Sequence, residues 1–380
     1  MKKYSVVLTI MLVVVMVFVL MGCNNNKSGS GTDTGAGDAG LATEEGAGAA
    51  NNVIAGSEFV VAWIHGSMGY ESAAQARAAA VEYIERHEIE WTFEEVDCEG
   101  DVAKVTSAIE DAVAKGVNAI MCDFCDLHAA TNAIELANQS GIKVFSVDTG
   151  YYVPGIVADV TTNNAEGASR VGMFMINQLG GNGKVCLVDT KNHSGVRMRV
   201  DVFRSIIGQH AGMEILNDFN VDPLRIMESV QDNMEALVTR YGLDGIDAVL
   251  CGWDEAAMAV ANVIRSAGGS RSDIIVSGYD GHRDVVVDDM ADPTYPVIAT
   301  IAQNFPAYGT IPIDLIQKVV LNGEDELEAI GGLRTIYVRS SLVTLNNVDS
   351  VPERPASTAM TPDNDYGDYS NVTGYKYSWQ

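Results

Sequence analysis

The feature that most constrains the fold is a regular alternation of short apolar runs with helix-length amphipathic segments. It begins at about residue 57, and residues 59–64 form a continuous apolar run typical of a strand buried on both faces. Residues 101–115 then carry apolar side chains at helical spacing, and Gly116 stands just past their end, where helices commonly place a glycine. This strand–helix–strand order predicts parallel sheets with helices on both faces.

The alternation starts a second time after about residue 163. Strands are predicted over residues 59–64, 91–96, 117–122, 142–147, 185–188, 213–216, 248–251, 274–277 and 297–301, with one or two closing strands in 336–342. Helices are predicted over residues 71–87, 101–115, 128–140, 165–179, 196–210, 224–241, 255–267 and 305–321. Two such series favour the α/β class with two doubly wound parallel-sheet lobes. One barrel of eight strand–helix units is the main alternative.

The N-terminus has the order of a secretion signal. Two lysines precede an uncharged run, residues 6–21, which is shorter than the ~20 residues that span a bilayer. The run ends in Leu-Met-Gly-Cys, residues 20–23, which resembles a bacterial lipobox. That resemblance implies a signal peptide over residues 1–22, acylation of Cys23 and a mature protein outside the cytoplasmic membrane. The alternatives are an ordinary signal-peptidase cut beside a chance cysteine, or a short transmembrane helix.

Two further segments differ in composition from the alternating region. Residues 24–56 are mostly Asn, Gly, Ser, Ala, Thr and acidic residues without an aromatic, so they cannot bury enough apolar surface to fold. We expect residues 23–56 to form a lipidated, flexible linker. Residues 351–380 contain prolines, acids, tyrosines and a tryptophan, and we expect them to form a C-terminal tail.

The formal net charge of −27 limits the partners. Lysine and arginine do not cluster, so the basic face that nucleic-acid binding requires is missing from the sequence. An acidic surface also disfavours adsorption to anionic lipid, which leaves the lipid anchor as the expected membrane contact. Beyond Cys23 the five cysteines are scattered and odd in number, which does not indicate a disulfide framework.

Cys122 and Cys125 form a C-x-x-C pair, which could be half of a zinc site or a redox pair. No second pair follows at zinc-finger spacing, and a fourth ligand beside His128 is not evident. Because Cys122 ends an apolar strand, we interpret both cysteines as small core residues.

Catalytic and phosphate-binding motifs are not found. Residues 180–184, Gly-Gly-Asn-Gly-Lys, follow a helix and precede a strand, which is the reverse of a phosphate-binding loop. Residues 65–69 do not contain Gly-x-Ser-x-Gly, and no acid can be assigned to orient His193 beside Ser194. We therefore expect no enzyme activity, no cofactor and no metal.

Polar side chains that suit a sugar follow several predicted strands. They are Asp148, Arg197, Trp253, Asp280 and Gln303. In open α/β sheets, ligands bind beyond the carboxyl ends of the strands. Carboxylates accept hydroxyl protons, a guanidinium donates in a fork, an amide does both, and an indole packs on a sugar ring. Asp254 is interpreted as the cap of the helix that starts at Glu255, the alternative being a supporting position behind the ligand-binding residues.

Five short segments, taken in order, resemble the type I periplasmic sugar-binding proteins of ABC transporters, in the ribose-binding branch. They are Val147-Asp148, Ser194-Gly195-Val196-Arg197-Met198-Arg199, Trp253-Asp254-Glu255-Ala256-Ala257, Ser277-Gly278-Tyr279-Asp280-Gly281 and Ala299-Thr300-Ile301-Ala302-Gln303. The resemblance runs from Glu58 to Val348. It implies a hydroxyl-binding set of four residues: Asp148, Arg197, Asp280 and Gln303. Arg197 is preferred to Arg199 because it leads the Arg-x-Arg pair, as the ligand arginine of the family does.

Two places depart from the family pattern. Trp253 stands where a ribose-binding protein places asparagine, which favours a ligand with a ring face to stack on over ribose itself. In the loop after the first strand, Tyr70 could stack on the ligand, and Glu71 or His65 could bind a hydroxyl. The alternative for Tyr70 and Glu71 is a helix start, where the helix dipole favours an acidic residue.

The resemblance also implies a three-strand hinge, with chain crossings near Thr162, Asn304 and Arg334. Lobe I would then contain residues 57–162 and 304–334, and lobe II residues 163–303 and 335–350. A ligand that touches both lobes would favour the closed state through its higher affinity for that state.

The function implied is that of a lipid-anchored, monomeric binding protein that delivers a monosaccharide or similar polyhydroxy ligand to the permease of an ABC importer. The first alternative is a protein of the same fold that serves a chemoreceptor or sensor kinase. The second is an extracellular enzyme on an α/β scaffold.

Overall fold

The computed structural model of the protein describes residues 58–222 and 225–351. The predicted signal peptide, Cys23 with its linker, and the tail from residue 352 onward lie outside the described residues. Of the helices that are described, none has both the length and the apolar character of a membrane span.

The described chain alternates strands with helices along nearly its whole length. The strands are β1 Phe59–His65, β2 Trp91–Asp97, β3 Ala119–Asp123, β4 Lys143–Val147, β5 Asp159–Thr162, β6 Asn182–Asp189, β7 Gly212–Asn220, β8 Ala248–Cys251, β9 Ile275–Ser277, β10 Val297–Ala302, β11 Thr335–Val338 and β12 Ser341–Thr344. The α-helices are α1 Glu71–Arg86, α2 Val102–Lys115, α3 Thr131–Gln139, α4 Asn164–Gln178, α5 Ser194–Gly208, α6 Ile226–Tyr241, α7 Asp254–Ser266, α8 Phe305–Ile316 and α9 Glu326–Ala329.

These strands form two six-stranded sheets. The first has the order β11-β5-β4-β3-β1-β2, and all of its pairs are parallel. The second has the order β12-β10-β9-β8-β6-β7, in which β12 alone runs antiparallel to its neighbour. Each sheet with the helices packed on it is called a lobe below. The predicted fold class is confirmed, and the alternative of a single eight-stranded barrel is wrong.

The first sheet is covered on both faces, as its apolar strands predict. Successive side chains of a strand point to opposite faces. In β1, Val61 and Trp63 therefore join one hydrophobic core, while Ala62 and Ile64 join the core on the other face. A strand buried on both sides has no polar face, which explains why β1 is a continuous apolar run rather than an alternating one.

The two smallest strands of the first sheet differ from the predictions. β5 was not predicted, because Asp159, Thr161 and Thr162 are polar although they are buried. β11 pairs in parallel with β5, and its Ile336 and Val338 lie in the core of the first lobe. The predicted boundary near Arg334 assigned residues 335–338 to the second lobe, but they belong to the first sheet. The third chain crossing therefore lies between β11 and β12.

In the other two crossings, the chain leaves the first sheet after β5 and returns to it after β10 with α8. Phe305, Tyr308 and Ile311 of α8 pack in the core of the first lobe. The two sheets are thus joined three times, which brings the carboxyl ends of both sets of strands to one cleft.

Candidate functional site

A cavity of about 580 Å³ lies between the two lobes, at the carboxyl ends of their parallel strands. The first lobe contributes Ser67, Gly69, Tyr70, Ser72, Phe124 and Asp148 to its wall. The second contributes Thr190, Asn192, His193, Val196, Arg199, Arg225, Ile226, Met227, Glu228, Trp253, Glu255 and Asp280. Its position agrees with the general rule for ligand sites in open α/β sheets.

Three residues of the cavity wall hold a backbone conformation that L-amino acids rarely adopt. The φ angles are 51° at Phe124, 51° at Asp148 and 141° at Asp280. Each residue stands just beyond a strand, where the chain leaves the sheet. Such conformations cost about 1–3 kcal/mol each and cluster at functional sites. Three of the five non-glycine residues with positive φ in the described chain lie at this cavity, which favours it as the candidate functional region.

Arg199 is the central cation of the cavity, and only 2% of its surface is exposed. Its Nε donates to Asn164 Oδ1 at 2.7 Å, and its Nη1 donates to the carbonyl of Gly252 at 2.9 Å and to Asp280 Oδ1 at 3.3 Å. Its Nη2 lies 3.7 Å from Asp148 Oδ2. Arg199 therefore joins an aspartate of each lobe.

The aromatic ring of Tyr279 supports the buried charge of Arg199. The guanidinium carbon lies 3.9 Å from the centre of that ring, which suits a cation–π contact. Burial alone would lower the pKa of Arg199, but the carboxylates of Asp280 and Asp148 raise it above its usual range. The side chain is thus held charged and in one place.

The structure places Arg197 away from the cavity wall. Its Nη2 donates to Asp126 Oδ2 at 3.0 Å and its Nη1 to the carbonyl of Lys191. Two residues along a helix turn a side chain by about 200°. Arg199 therefore shares the buried face of α5 with Val200, and Arg197 faces the rim. The structure does not support the choice of Arg197 as the ligand arginine, because Arg199 lines the cavity and Arg197 does not.

Asp148 and Asp280 lie in the wall where the sequence predicted them. Asp148 Oδ1 accepts a hydrogen bond from the Thr161 hydroxyl at 2.9 Å and lies 3.4 Å from the Tyr308 hydroxyl. Asp280 Oδ1 accepts from Gln303 Nε2 at 2.6 Å. Burial raises the pKa of Asp280 above its usual range, although Arg199 acts in the opposite direction.

Gln303 is not among the residues of the cavity wall; it stands behind them. Its Nε2 holds Asp280, and its Oε1 lies 2.7 Å from the Tyr308 hydroxyl. Tyr308 in turn accepts a hydrogen bond from the backbone N–H of Thr162 at 2.7 Å. Gln303 therefore links residues from both lobes at a chain crossing, and the structure gives it a positioning contact rather than a place in the wall.

Trp253 and Tyr70 line the cavity as predicted, and Phe124 joins them. Trp253 is 8% exposed and directly precedes α7. Glu71, the other predicted residue of the first loop, is the first residue of α1 and is not part of the cavity wall. Of the predicted residues, the two aromatic ones, Trp253 and Tyr70, thus line the cavity. Glu71 instead begins a helix, as the alternative interpretation had it.

Asp254 does not cap α7, contrary to the prediction. Its Oδ2 accepts hydrogen bonds from the backbone N–H groups of Gly281 at 2.7 Å and His282 at 2.9 Å. Its Oδ1 accepts one from the Thr300 hydroxyl at 2.7 Å. Asp254 therefore fixes the loop that carries Asp280. Burial, with the nearby Asp280 carboxylate, raises the pKa of Asp254 to about 7.

Glu255 was missed as a site residue, although it lies in the Trp253–Ala257 segment quoted above. It lines the cavity beside Asp280. Single ligand atoms of Glu255, Asp280 and His282 lie within 4.8 Å of one another, and this is the one potential metal-binding group found among the described residues. The sequence signal was its position four residues after a strand end and directly after an aspartate. That position was interpreted only as a helix start.

Cys122 and Cys125 are both free and buried. The Sγ of Cys125 lies 3.1 Å from the carbonyl oxygen of Asp123, and His128 contacts Asp126 instead of a cysteine. Burial raises the pKa of both thiols well above the usual range, which opposes metal binding and redox reactivity. Their interpretation as core residues agrees with the structure.

Several contacts close the cleft around the cavity. The Ser194 hydroxyl donates to the carbonyl of Thr149 in the opposite lobe. A Cβ atom added to Gly150, whose φ is 84°, would lie 2.8 Å from the Cα of Gly195. Glycine at position 150 thus permits both its backbone conformation and the close approach of the two lobes.

Comparisons with known proteins agree with this architecture. The family model described as "Periplasmic binding protein domain" matches residues 59–325. A ribose import binding protein of Bacillus subtilis is 28% identical over 226 residues, covering 59% of this chain and 70% of its own length. A D-apiose import binding protein of Paraburkholderia graminis is 26% identical over 254 residues, covering 65% of this chain and 75% of its own.

Solved structures show the same fold. An ABC sugar transporter subunit of Rhodobacter sphaeroides has a TM-score of 0.67 and 22% identity, covering 75% of this chain and 97% of its own. An ABC transporter solute binding protein of Bacillus halodurans with bound myo-inositol has a TM-score of 0.67 and 20% identity, covering 77% of this chain and 96% of its own. Neither these proteins nor the curated relatives above are named as enzymes. Because the family model spans most of the chain and both sheets agree with it, this protein belongs to the type I family of periplasmic binding proteins.

Proposed function

We propose that this protein is a lipid-anchored, extracytoplasmic solute-binding protein that captures a monosaccharide or similar polyhydroxy ligand. The curated relatives are named for the import of ribose and D-apiose, and one similar structure is titled with bound myo-inositol. All three names refer to small polyhydroxy compounds. The captured ligand passes to the permease of an ABC importer, and the protein acts as a monomer without a cofactor.

The observation that carries this proposal is the bridge from Asp148 through Arg199 to Asp280 in the cavity wall. One buried cation with a carboxylate from each lobe offers donors and acceptors on both sides of one small molecule. Sugar hydroxyls both donate and accept hydrogen bonds, so such a mixed set suits them. Trp253 in the same wall provides an apolar surface for the C–H groups of a sugar ring.

Hinge closure is the proposed mode of capture. A ligand that contacts both lobes favours the closed state only by its higher affinity for that state. Arg199 and Asp280 belong to the second lobe and Asp148 to the first, so the full set of polar groups exists only when the lobes approach. The interlobe contacts of Ser194 and Arg197 then hold the rim closed.

Anchoring through Cys23 is proposed from the lipobox resemblance alone. Metabolic labelling with a radioactive fatty acid would test it: the wild-type chain should incorporate label, and Cys23→Ala should not. Cys98→Ala, which changes a buried cysteine of the folded region, is the matched control. Equal labelling of the Cys23→Ala variant would contradict the proposed anchor.

Ligand binding is tested with two arginines of the same helix. Isothermal titration calorimetry of the full chain against neutral monosaccharides and polyols should identify at least one ligand. Arg199→Met should weaken its binding by about 30-fold or more, because truncating one partner of a buried charge pair leaves the other charges uncompensated. Arg197→Met should change the affinity by less than about threefold, since its contacts are half-exposed.

Folding must be checked separately, because Arg199 is buried. Far-UV circular dichroism and a melting curve should show that Arg199→Met is folded. If Arg199→Met does not fold, Arg199→Lys replaces it in the binding test, because it keeps the buried positive charge. Near-wild-type binding by a folded Arg199→Met variant would remove this residue from the site. Failure of every neutral or amino polyhydroxy compound to bind the wild type would overturn the proposed function.

A further inference from the structure

Away from its exposed rim, the cavity wall carries more negative than positive charge. Its carboxylates are Asp148, Glu255 and Asp280, and its guanidinium is that of Arg199. At the exposed rim, Arg225 and Glu228 lie 2.9 Å apart and cancel each other. If these three carboxylates and the guanidinium were all ionised, this part of the wall would hold a net charge of about −2, which is costly in a partly desolvated site.

Arg199 cannot balance this excess, because it supplies one positive charge against three carboxylates. Its Nε and Nη1 bind Asn164, Gly252 and Asp280. Its remaining Nη2 is 3.7 Å from Asp148, beyond the distance of a good hydrogen bond.

One oxygen of Asp148 is left without a hydrogen-bond donor among the described residues. Asp148 is 3% exposed, and its Oδ1 receives the hydroxyl of Thr161. The nearest ring or guanidinium nitrogens to its Oδ2 are those of His193 and Arg199, both at 3.7 Å. Because Asp148 lines the cavity, this oxygen is available to a donor supplied by the ligand.

Glu255 lies among other acidic groups. Asp280 is its neighbour in the wall, and Asp254 precedes it in the chain. Burial raises the pKa of Glu255, and the carboxylates of Asp254 and Glu71 raise it further. No arginine or lysine is among the described groups that act on it, and the ring of His282, the third member of this group, is charged only when protonated. In the absence of ligand, this region must therefore take up a proton or bear an uncompensated negative charge.

A cationic ligand group removes the need for either an extra proton or an uncompensated negative charge. It pairs with the excess carboxylates and allows them to lose the extra proton. The wall of the cavity also contains Trp253, Tyr70 and Phe124, whose ring faces attract cations. A neutral sugar would leave the charge imbalance of the wall unchanged.

On the basis of the proposed function, we further propose that the ligand is a polyhydroxy compound with a basic nitrogen, of the amino sugar or aminocyclitol class. Its ammonium group lies beside Glu255 and Asp280, and its hydroxyl groups lie near Arg199 and Asp148. Trp253 covers a face of its ring. Charge-assisted hydrogen bonds are roughly twice as strong as neutral ones, so the nitrogen also determines specificity.

Matched ligand pairs test this proposal on the full chain. Calorimetry at pH 7.5, in a buffer with EDTA, compares glucosamine with glucose, galactosamine with galactose, mannosamine with mannose and scyllo-inosamine with scyllo-inositol. We expect the amine of at least one pair to bind at least about tenfold more tightly than its neutral parent. The N-acetylated form of that amine, which has no basic nitrogen, should lose the advantage.

Two variants locate the effect. Glu255→Gln should reduce the amine-to-parent affinity ratio by about fivefold or more, because it removes a negative charge while keeping the shape of the side chain. Glu110→Gln, on the exposed surface of α2, should leave that ratio unchanged. An unchanged ratio in a folded Glu255→Gln variant would overturn the assignment.

The remaining outcomes separate this inference from the proposed function. If neutral compounds bind as tightly as their amines in every pair that binds, the inference is wrong and the proposed function stands. If amine binding requires a divalent cation and disappears in EDTA, the acidic group holds a metal and the inference is also wrong. If no compound of these pairs and no other neutral or amino polyhydroxy compound of the calorimetric screen binds, the proposed function itself fails.

Discussion

The two lobes present an aspartate to the cavity by the same local arrangement. In the first lobe Asp148 follows β4, and the next two backbone N–H groups donate to buried Asp159 at 3.2 and 3.1 Å. In the second lobe Asp280 follows β9, and the next two N–H groups donate to buried Asp254 at 2.7 and 2.9 Å. Both supporting carboxylates also accept from a buried hydroxyl at 2.7 Å. A strained aspartate above a buried carboxylate thus occurs twice.

The surroundings of the two aspartates differ in charge. Asp148 has the neutral hydroxyl groups of Thr161 and Tyr308 as its nearest partners. Asp280 lies within reach of Arg199 and Glu255, with Asp254 beneath it. The same backbone arrangement therefore serves a mainly neutral wall in one lobe and a densely charged wall in the other. We expect the second lobe to be the more sensitive to removal of a charge.

The largest expected difference comes from truncating the two aspartates. Asp280→Ala should abolish the ligand-induced rise in melting temperature, because it removes a ligand contact and the closest carboxylate partner of Arg199. Asp148→Ala should weaken ligand binding less, by about tenfold, since its Oδ1 has neutral hydroxyl partners and its Oδ2 lies farther from Arg199, at 3.7 Å, than Asp280 does. Calorimetry and thermal shift measure both effects. Equal losses in the two variants would contradict the asymmetry between the lobes.

The supporting carboxylates should give a smaller effect that depends on pH. Burial raises the pKa of both Asp159 and Asp254 to about 7, against a value near 4 for an exposed aspartate. The folded state then binds these protons more tightly than the unfolded state between about pH 4 and pH 7. Their contribution is therefore most favourable below pH 4 and is lost as the pH rises towards 7.

Asp159→Asn and Asp254→Asn should each flatten the dependence of the melting temperature on pH over this range. The expected change in the free energy of unfolding is about 1–3 kcal/mol per variant. Asp244→Asn, on the exposed surface, is the control and should follow the wild type. Flattening by only one of the two variants would show that Asp159 and Asp254 are not equivalent. Flattening by neither would show that these buried carboxyl groups do not titrate with a raised pKa.

The smallest effect is expected at the rim between the lobes. Asp126→Asn removes the ion pair with Arg197, which spans the cleft at 3.0 Å. Half-exposed pairs contribute about 0–1 kcal/mol, so the ligand should dissociate no more than about fivefold faster. Stopped-flow measurement of ligand release, with Glu110→Gln as the control, gives the rate. Complete loss of binding in Asp126→Asn would place this pair within the site instead of at its rim.

Much of the site could be predicted from the sequence, for a physical reason. In a parallel sheet the strands end at one edge, so Asp148, Trp253 and Asp280 are brought together by the topology alone. Arg199 and Glu255 were not identified, because both lie on helices that begin at that edge. There the rotation of the helix, and not the position along the chain, decides which side chain faces the cavity.

The weakest predictions concerned short polar elements. β5 contains buried polar residues whose partners come from elsewhere, such as Ser146 for Asp159 and Tyr308 for Thr162. β11 has only four residues, and its place in the first sheet depends on pairing with β5. Neither segment carries an apolar run of its own that would identify its sheet.

The sequence by itself determined the alternation of strands and helices and the edge at which functional groups gather, because hydrophobic periodicity is a local property of the chain. Only the tertiary structure decided which arginine faces the cavity, which carboxylates support the loops, and how much negative charge its wall holds. These properties depend on contacts between residues far apart in the chain, and on the loss of water around them, which no local pattern records.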